Sequence, residues 1–505
     1  MKSRTAFTRK NILYAMLSQI VAQFANFVVR TVFIHELDAV YLGVNGLFSN
    51  ILTYLSLAEL GVGSALIYSM YSPMANGDTQ KIAAYMNTYR KCYRAIGIAV
   101  ILIGCSLTPF LSFFINGNSD VPHLQFIYIL YILNTASSYF FAYKGSIFRA
   151  DQKQYVVTNN NTMFVVIHSA LRIAILKAFH SFIFYLIITI VCNLAENIVI
   201  ALKANYAYPY LKRYKTEKLE SSELKTLLKN VSAMFLHKVS DVVLGSTDNI
   251  IMSKFVGLIT VGLYSNYQMI INVVKTVFNL IAGGIVPSVG NLCASENRDK
   301  QYEIFKSIML LNIWVVAFCS ICLLNLLTPF IKIWIGEKYV ISDTLILSIV
   351  ISLYIQLSMR AVEMFRTATG MFWNDRYYAF LQCIINIVVS IVLVKVVGCE
   401  GIFIGTAVAV LATKFWKTSS LIYKNAFDKN PARYFLTYGI YTAVGIVAAV
   451  IATCICSYAT DGINGFVFRA IVCLIVPNLC YAVAFFKTKE FRYLSSKVKI
   501  KVIHN

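Results

Sequence analysis

The sequence predicts an all-α polytopic membrane protein with about fourteen transmembrane helices. Three observations lead there. The 505 residues are 58% hydrophobic and only 13% charged, about half the charged share of a soluble domain, and the mean hydropathy is +0.67. Apolar stretches of about twenty residues, each enough to cross a bilayer as a helix, recur along the chain, with no connection much longer than about 25 residues. The basic residues gather on alternate connections, as the positive-inside bias requires. The ten-residue alternation of a membrane barrel is absent, and no room is left for a folded soluble domain.

The expected spans cover roughly 11–34, 44–70, 88–115, 123–148, 155–178, 181–206, 231–255, 258–285, 304–331, 342–369, 377–397, 401–423, 434–458 and 464–486. The net charge of +22 does not point to nucleic acid. With the N-terminus inside, about 35 of the 45 basic residues fall on cytoplasmic segments and helix ends. Examples are Lys2, Arg4, Arg9 and Lys10, then Lys212, Arg213, Lys215 and Lys218, and Lys487, Lys489 and Arg492. The opposite connections, such as "NGNSD" at 116–120, are nearly free of them. The excess is topological signal plus attraction to anionic headgroups. An even number of spans puts both termini in the cytoplasm. The start "MKSRTAFTRK" lacks a small-residue cleavage site after a short apolar core, so the first span is expected to stay as a helix.

Taken in order, the first six spans form an N-terminal lobe (1–206). A charged linker, 207–230, contains "YLKRYKTEKLESSELKTLLKN" from 210. Six more spans form a second lobe (231–423). Spans 13 and 14 with a basic tail complete the chain (424–505). Shifting the first block by 219 positions lays Asn11 on Asn230 and Gly43 on Gly262, and "YLGVNGL" (41–47) on "TVGLYSN" (260–266). Two lobes of the same handedness would be parallel repeats about an axis along the membrane normal, a transporter architecture.

Several spans carry polar stripes. Span 1 holds Gln19, Gln23, Asn26 and Arg30, within about 60° on one helix face. Span 7 holds Lys238, Asp241, Gly245, Asp248 and Asn249, and under the same shift Gln19 meets Lys238 and Arg30 meets Asn249. Span 8 holds Gln268, Asn272, Lys275 and Asn279; span 10 holds Gln356, Arg360, Glu363 and Thr367. Span 2 offers Asn45, Ser56, Glu59 and Gly63, and span 5 Asn161, His168 and Arg172. A charge at the bilayer centre costs about 2.5–3.5 kcal/mol on insertion scales. One account is structural: Lys238 pairs with Asp241 and Arg360 with Glu363, each joining helices. The other is a hydrated cleft between lobes, which explains all the stripes together. Arg360 and Arg172 also lie near membrane edges, where a long side chain snorkels. His168 fits a packing histidine better than a proton relay.

The chain has no GxxxxGK[ST] loop, no HExxH and no GxSxG, and no external loop large enough for a sugar-transfer site. It is not expected to be an enzyme. The twelve cysteines lie mostly within spans. Cys319 and Cys322 form a CxxC with no second pair or histidine nearby, so neither disulfide nor metal is expected.

Three stretches resemble a known family. "YLGVNGLFSNILTYLSLAELGVGSALIYSMY" (41–71) is similar to the second span of Wzx-type polysaccharide flippases, which move O-antigen or capsule repeat units and belong to the multidrug/oligosaccharidyl-lipid/polysaccharide exporter superfamily. "STDNIIMSKFVGLITVGLYSNYQMI" (246–270) is similar to the start of the second lobe. "FRTATGMFWNDRYYAFLQCIINIVVSIVLVKVVGCEGIFIGTAV" (365–408) is similar to the segment joining spans 10 to 12. The resemblance covers nearly the whole chain. It implies two six-helix lobes in a V-shaped arrangement around a central cavity, plus two C-terminal helices. It also implies export of undecaprenyl-pyrophosphate-linked oligosaccharide across the bacterial cytoplasmic membrane by alternating access. Glu59 matches the family's acidic position in span 2, Asp248 its "TDNIIMS" motif and Arg366 its "FRTATG" motif; Arg30 rests on no clear motif. The peptidoglycan-precursor branch has a richer arginine cluster in the first lobe, and the drug-exporting branch has twelve spans, so neither fits as well.

For such a substrate Arg30, Lys238 and Lys275 are the candidate anion contacts, arginine through its planar fork and lysine as a point charge. Arg366 joins them as a candidate cavity residue. Gln19, Gln23, Asn26, Gln268 and Asn272 are candidates to face sugars. Glu59, Asp241 and Asp248 are candidates for coupling to sodium or a proton; no other cofactor is expected. For Glu59, three roles stay open: pairing with Arg30 or a backbone amide, ion coupling, and substrate contact. Polysaccharide polymerase and glycosyltransferases are the protein partners that such a role implies. A cation-coupled drug antiporter and a non-transporting scaffold for polysaccharide enzymes are the alternatives.

Overall fold

The structure, a computed structural model, describes residues 4–59, 62–115, 121–369, 371 and 376–503. Every regular element among them is a helix. Hydrocarbon offers a peptide group no hydrogen-bond partner, so a spanning segment must bond internally, and the helix does so within one segment. Eleven of the described helices are long and apolar enough to cross a membrane. Each of the fourteen expected segments coincides with a helix or a pair of helices. The three outside the eleven are 39–76 and 400–425, each broken part-way, and the 221–255 helix, which carries Lys238, Asp241, Asp248 and Lys254.

The chain packs as two compact units, Met1–Gly262 and Leu263–Asn505. The first contains α1 (Arg4–Glu36), α2 (Ala39–Leu55), α3 (Val62–Asn76), α4 (Thr79–Leu107), α5 (Leu124–Phe141), the short α6 (Ser146–Ala150), α7 (Gln154–Phe179), α8 (Phe182–Ala207), the linker turn α9 (Tyr210–Arg213) and α10 (Ser221–Phe255). Helix α1 lies along α7, α4 along α5, and α8 against both α5 and α7. Helix α10 packs on α2 and α3. It therefore belongs to the first packing unit, although the expected second lobe began at 231.

The second unit takes in most of α11 (Leu258–Ser295), then α12 (Arg298–Ile335), α13 (Asp343–Ser358), α14 (Arg360–Thr369), α15 (Arg376–Val397), α16 (Glu400–Val410), α17 (Trp416–Asn425), α18 (Ala432–Cys456), α19 (Ile463–Phe485) and α20 (Lys489–Ile503). Helix α12 is its centre, touching α13, α18, α19 and α20. The α15–α16 hairpin turns at Gly398, whose φ of +74° a β-carbon would strain.

In both units the buried aromatic core sits at the end with the basic connections. In the first, Tyr85, Tyr89, Tyr93, Tyr139 and Phe148 cluster with Leu66 and Met70. In the second, Phe305 meets Phe365 edge to face at 5.1 Å and Tyr423 at 5.6 Å, with Phe427 and Tyr434 beside them. Pairs of this kind add about 0.5–1.5 kcal/mol each beyond area burial.

One crossing depends on bare backbone. A β-carbon on Gly43 in α2 would fall inside the Leu258 carbonyl, and one on Gly262 inside the Ala39 carbonyl. These are the two glycines that the 219-residue shift superposes. The two glycines let α2 and the start of α11 meet backbone to backbone, as small residues do between membrane helices.

The tail is held to α12. Lys306 donates to Glu490 at 2.6 Å, and Phe491 stacks on Trp314 with ring centres 6.0 Å apart. Burial alone would raise the Glu490 carboxyl, but the hydrogen bond and charge of Lys306 outweigh it and hold the group below its ordinary value. A carboxyl lowered in the folded state stabilises above its unfolded pKa and loses that contribution as pH falls through the folded one.

Two outcomes follow. Gly43→Ala and Gly262→Ala should each lower the unfolding temperature of the purified protein. Gly439→Ala, in a helix with nothing within 4 Å of its β-carbon, should leave or raise it, because alanine is favoured over glycine by about 0.5–1 kcal/mol within a helix. Glu490→Gln should destabilise at neutral pH, and its difference from wild type should shrink and vanish as pH falls through the lowered pKa of the folded-state carboxyl, measured by thermal melts across pH.

Candidate functional site

The "LAELGVGSA" stretch (57–65) lies where span 2 breaks. Helix α2 ends at Leu55, a 3₁₀ turn covers Ser56–Glu59, and α3 begins at Val62. The break aims Glu59 at α4. Tyr93 donates to the Glu59 Oε1 at 2.5 Å, Tyr89 donates to the Tyr93 hydroxyl at 3.3 Å, and Ser146 donates to the Tyr89 hydroxyl at 3.0 Å. The two tyrosine rings stand edge to face at 4.6 Å. Gly63 leaves room for them, since a β-carbon there would approach the Tyr89 hydroxyl to 2.8 Å. The hydrogen-bond partner is Tyr93, which the sequence did not single out.

Farther along the same unit, Arg30 of α1 and Arg172 of α7 lie in electrostatic range of one tyrosine of α5. Both guanidinium charges act on Tyr131, whose hydroxyl donates to the Asn45 side-chain oxygen. The Arg172 Nε donates to Thr189 at 3.0 Å, and its guanidinium lies 5.5 Å over the Tyr185 ring. Phe33 packs edge to face on Tyr185 at 5.3 Å. Glu36 and His180 close this end at 2.6 Å. Snorkelling does not describe Arg172, which is held on α8. The signal available in the sequence was its position four residues beyond His168, on the stripe of the helix that packs on α1.

A third polar chain runs between α5, α7 and α8. Asn193 donates to Asn134 at 2.7 Å, Asn161 to the Glu196 carboxylate at 3.1 Å, and Lys203 to Asn160 at 2.8 Å. His168 is buried on the same helix, 6.1 Å from the Phe164 ring.

In the second unit the α13–α14 break at Met359 and a π-helical turn at Leu411–Phe415 supply the charges. Arg360 donates to Glu363 at 3.0 Å and Lys414 to its other oxygen at 3.4 Å. The Arg366 charge also acts on that carboxylate. The expected Arg360–Glu363 pair is present, and Lys414 makes it a group with three cations for one anion. Asn312 donates to the carbonyls of Leu357 and Ser358, both at 3.1 Å, and so satisfies the backbone at the break.

The remaining candidates are placed as follows. Gln19, Gln23 and Arg30 are half-buried on α1, and Asn26 is exposed. Gln268 and Lys275 are half-buried on α11, and Asn272 is exposed. Asp248 is half-buried between Thr247 and Asn249, both buried. The side chains of Lys238 and Asp241 lie outside the described residues. Sequence reasoning missed an apolar groove of about 730 Å³ in the second unit, between α12, α13 and α18, lined by Ile321, Leu324, Ile351, Tyr354, Ile446 and Val450 among others. Only packing reveals it, because each wall is an ordinary apolar helix.

No protein-family description matches this chain, and no curated protein does. Solved structures do. A lipid II flippase, MurJ, in an inward closed conformation is similar with TM-score 0.69 and 12% identity, over 94% of this chain and 98% of that one. An inward-facing multidrug-resistance MATE transporter of the MOP superfamily is similar with TM-score 0.64 and 14% identity, over 82% and 100%. The Vibrio cholerae MATE transporter VcmN, as a point mutant, is similar with TM-score 0.56 and 14% identity, over 84% and 99%. The chain is a multi-pass membrane protein with the fold that these transporters share.

Proposed function

We propose that this protein is a flippase for lipid-linked oligosaccharide, carrying a polyprenyl-pyrophosphate-linked repeat unit between the leaflets of the cytoplasmic membrane by alternating access. The observation that carries the proposal is the apolar groove between α12, α13 and α18, an open apolar slot that suits a polyprenyl chain. Helix α18 is one of the two helices beyond the twelve-span plan, and the match to a lipid II flippase extends over 94% of this chain against 82% for the MATE transporter. Arginines inside the spans suit the pyrophosphate. Arg172 lies over the Tyr185 ring, and Tyr131, bonded to Asn45, is in electrostatic range of both Arg30 and Arg172; the planar forks suit phosphate, and the tyrosine and asparagine suit hydroxyl-rich cargo.

Direction follows from charge. An inside-negative potential acts on each elementary charge with about 2.3 kcal/mol per 100 mV, so it pushes an uncompensated dianion outward with about twice that. Cations that travel with the phosphates reduce this drive, and an ion coupled through Asp248 would then supply the rest. A cation-coupled drug antiporter has the same fold, and export of organic cations in place of lipid-linked sugar would favour it.

The test is transbilayer movement of lipid-linked oligosaccharide in proteoliposomes. Arg30→Ala should reduce the rate at least tenfold while the protein inserts normally, a loss of about 1.4 kcal/mol or more of transition-state stabilisation. Ile446→Trp, which fills the groove, should slow a long polyprenyl substrate more than a short-chain analogue. Unchanged rates in both variants would contradict the proposal. Asp248→Asn should alter the dependence of transport on pH or sodium; an identical profile would remove Asp248 from coupling.

A further inference from the structure

A second cationic site lies at the basic end of the first unit. A cavity of about 170 Å³ is lined by Arg90 and Asn87 of α4, Lys144 of the 3₁₀ turn after α5, Asn205 of α8, and Lys212 and Lys215 of the linker. Four cations share it, and its lining contains no aspartate or glutamate. The charges of Arg90, Lys212 and Lys215 all act on the Lys144 ammonium, which donates to the neutral Asn205 side chain at 2.7 Å. The arrangement is held in place: Asn87 donates to the carbonyls of Tyr214 at 2.9 Å and Glu217 at 3.1 Å, which ties the linker to α4. A generic positive-inside bias needs basic residues at helix ends. It does not need four of them converging on one cavity from separate chain segments, where like charges repel unless an anion joins them.

We infer that this pocket binds a phosphate-bearing group, a diphosphate or phosphomonoester, at the basic face of the membrane. Arg90 supplies a fork for two oxygens, the three lysines supply point charges, and the Asn205 amide adds a donor. The volume admits a phosphate or diphosphate but no sugar chain. Lys144 lies within the Leu124–Ala150 span, six residues from its end, so a lipid headgroup and a soluble phosphate both reach it. This inference stands on the pocket alone and is independent of the transported cargo.

The full-length protein in phosphatidylcholine nanodiscs tests it, with sodium pyrophosphate as the soluble probe at constant ionic strength. The expected result is a saturable rise in unfolding temperature. The midpoint should shift at least tenfold to higher concentration in Arg90→Gln/Lys144→Gln and in Lys212→Gln/Lys215→Gln. The second variant changes exposed side chains only, so it keeps the test valid if the first fails to fold. Lys487→Gln/Arg492→Gln, exposed basic residues of the tail, should match wild type. Nanodiscs containing phosphatidic acid form the lipid arm, read by lipid retained in native mass spectrometry. Retention that falls in the pocket variants assigns a lipid headgroup; a response to pyrophosphate alone assigns a soluble phosphate. Pocket variants that behave as the tail variant does with both probes overturn the inference.

Discussion

A polar group inside the hydrocarbon layer must find its partner within the protein, and that constraint organises this chain. It makes every described element a helix. It also makes each interruption of a helix costly, because a break exposes peptide groups that a regular turn would satisfy. The protein breaks its spans at several places, and ionisable residues stand at four of them. Glu59 closes the 3₁₀ turn in span 2, Lys144 sits in the turn after α5, Arg360 and Glu363 follow the break at Met359, and Lys414 lies in the π-helical turn. At each of the first three, a side chain from another helix completes the bonding: Tyr93 for Glu59, Asn205 for Lys144, and Asn312 for the carbonyls before Arg360. Short π and 3₁₀ segments inside longer helices often mark functional positions. Here they are among the places where charged side chains stand inside the spans.

The helical architecture was legible because spans are written in composition: an apolar run of the right length has one outcome in a bilayer. The breaks were less legible. "LAELGVGSA" announced itself through an acid and two glycines, but nothing marks Leu411–Phe415 as the site of a π turn. The site was legible in part. Stripes named Arg30, Arg360 and Glu363, because a helix face is periodic. Their neighbours Tyr131 and Lys414, like Tyr93 beside Glu59, were invisible, since a tyrosine in an apolar helix reads as packing and which helix a side chain meets is decided by tertiary contacts. The groove and the basic pocket were illegible for the same reason: each is made of segments far apart in the chain. The bare-backbone crossing at Gly43 and Gly262 was likewise visible only in the packing.

The distribution of polar groups separates anchoring from chemistry. Tightly packed aromatic cores at the basic ends hold each unit together. Away from the core of the first unit, charge and hydroxyl groups gather around Arg30, Arg172 and Tyr131.

The account rests on a substrate with an apolar tail and a diphosphate head. Binding of a polyprenyl diphosphate without sugar to the purified protein, measured by native mass spectrometry against the matching polyprenyl alcohol and an organic-cation dye, tests it most directly. The diphosphate should be retained at least tenfold more than the alcohol, with no saturable binding of the dye. Equal retention of diphosphate and alcohol, or binding of the dye alone, would contradict it.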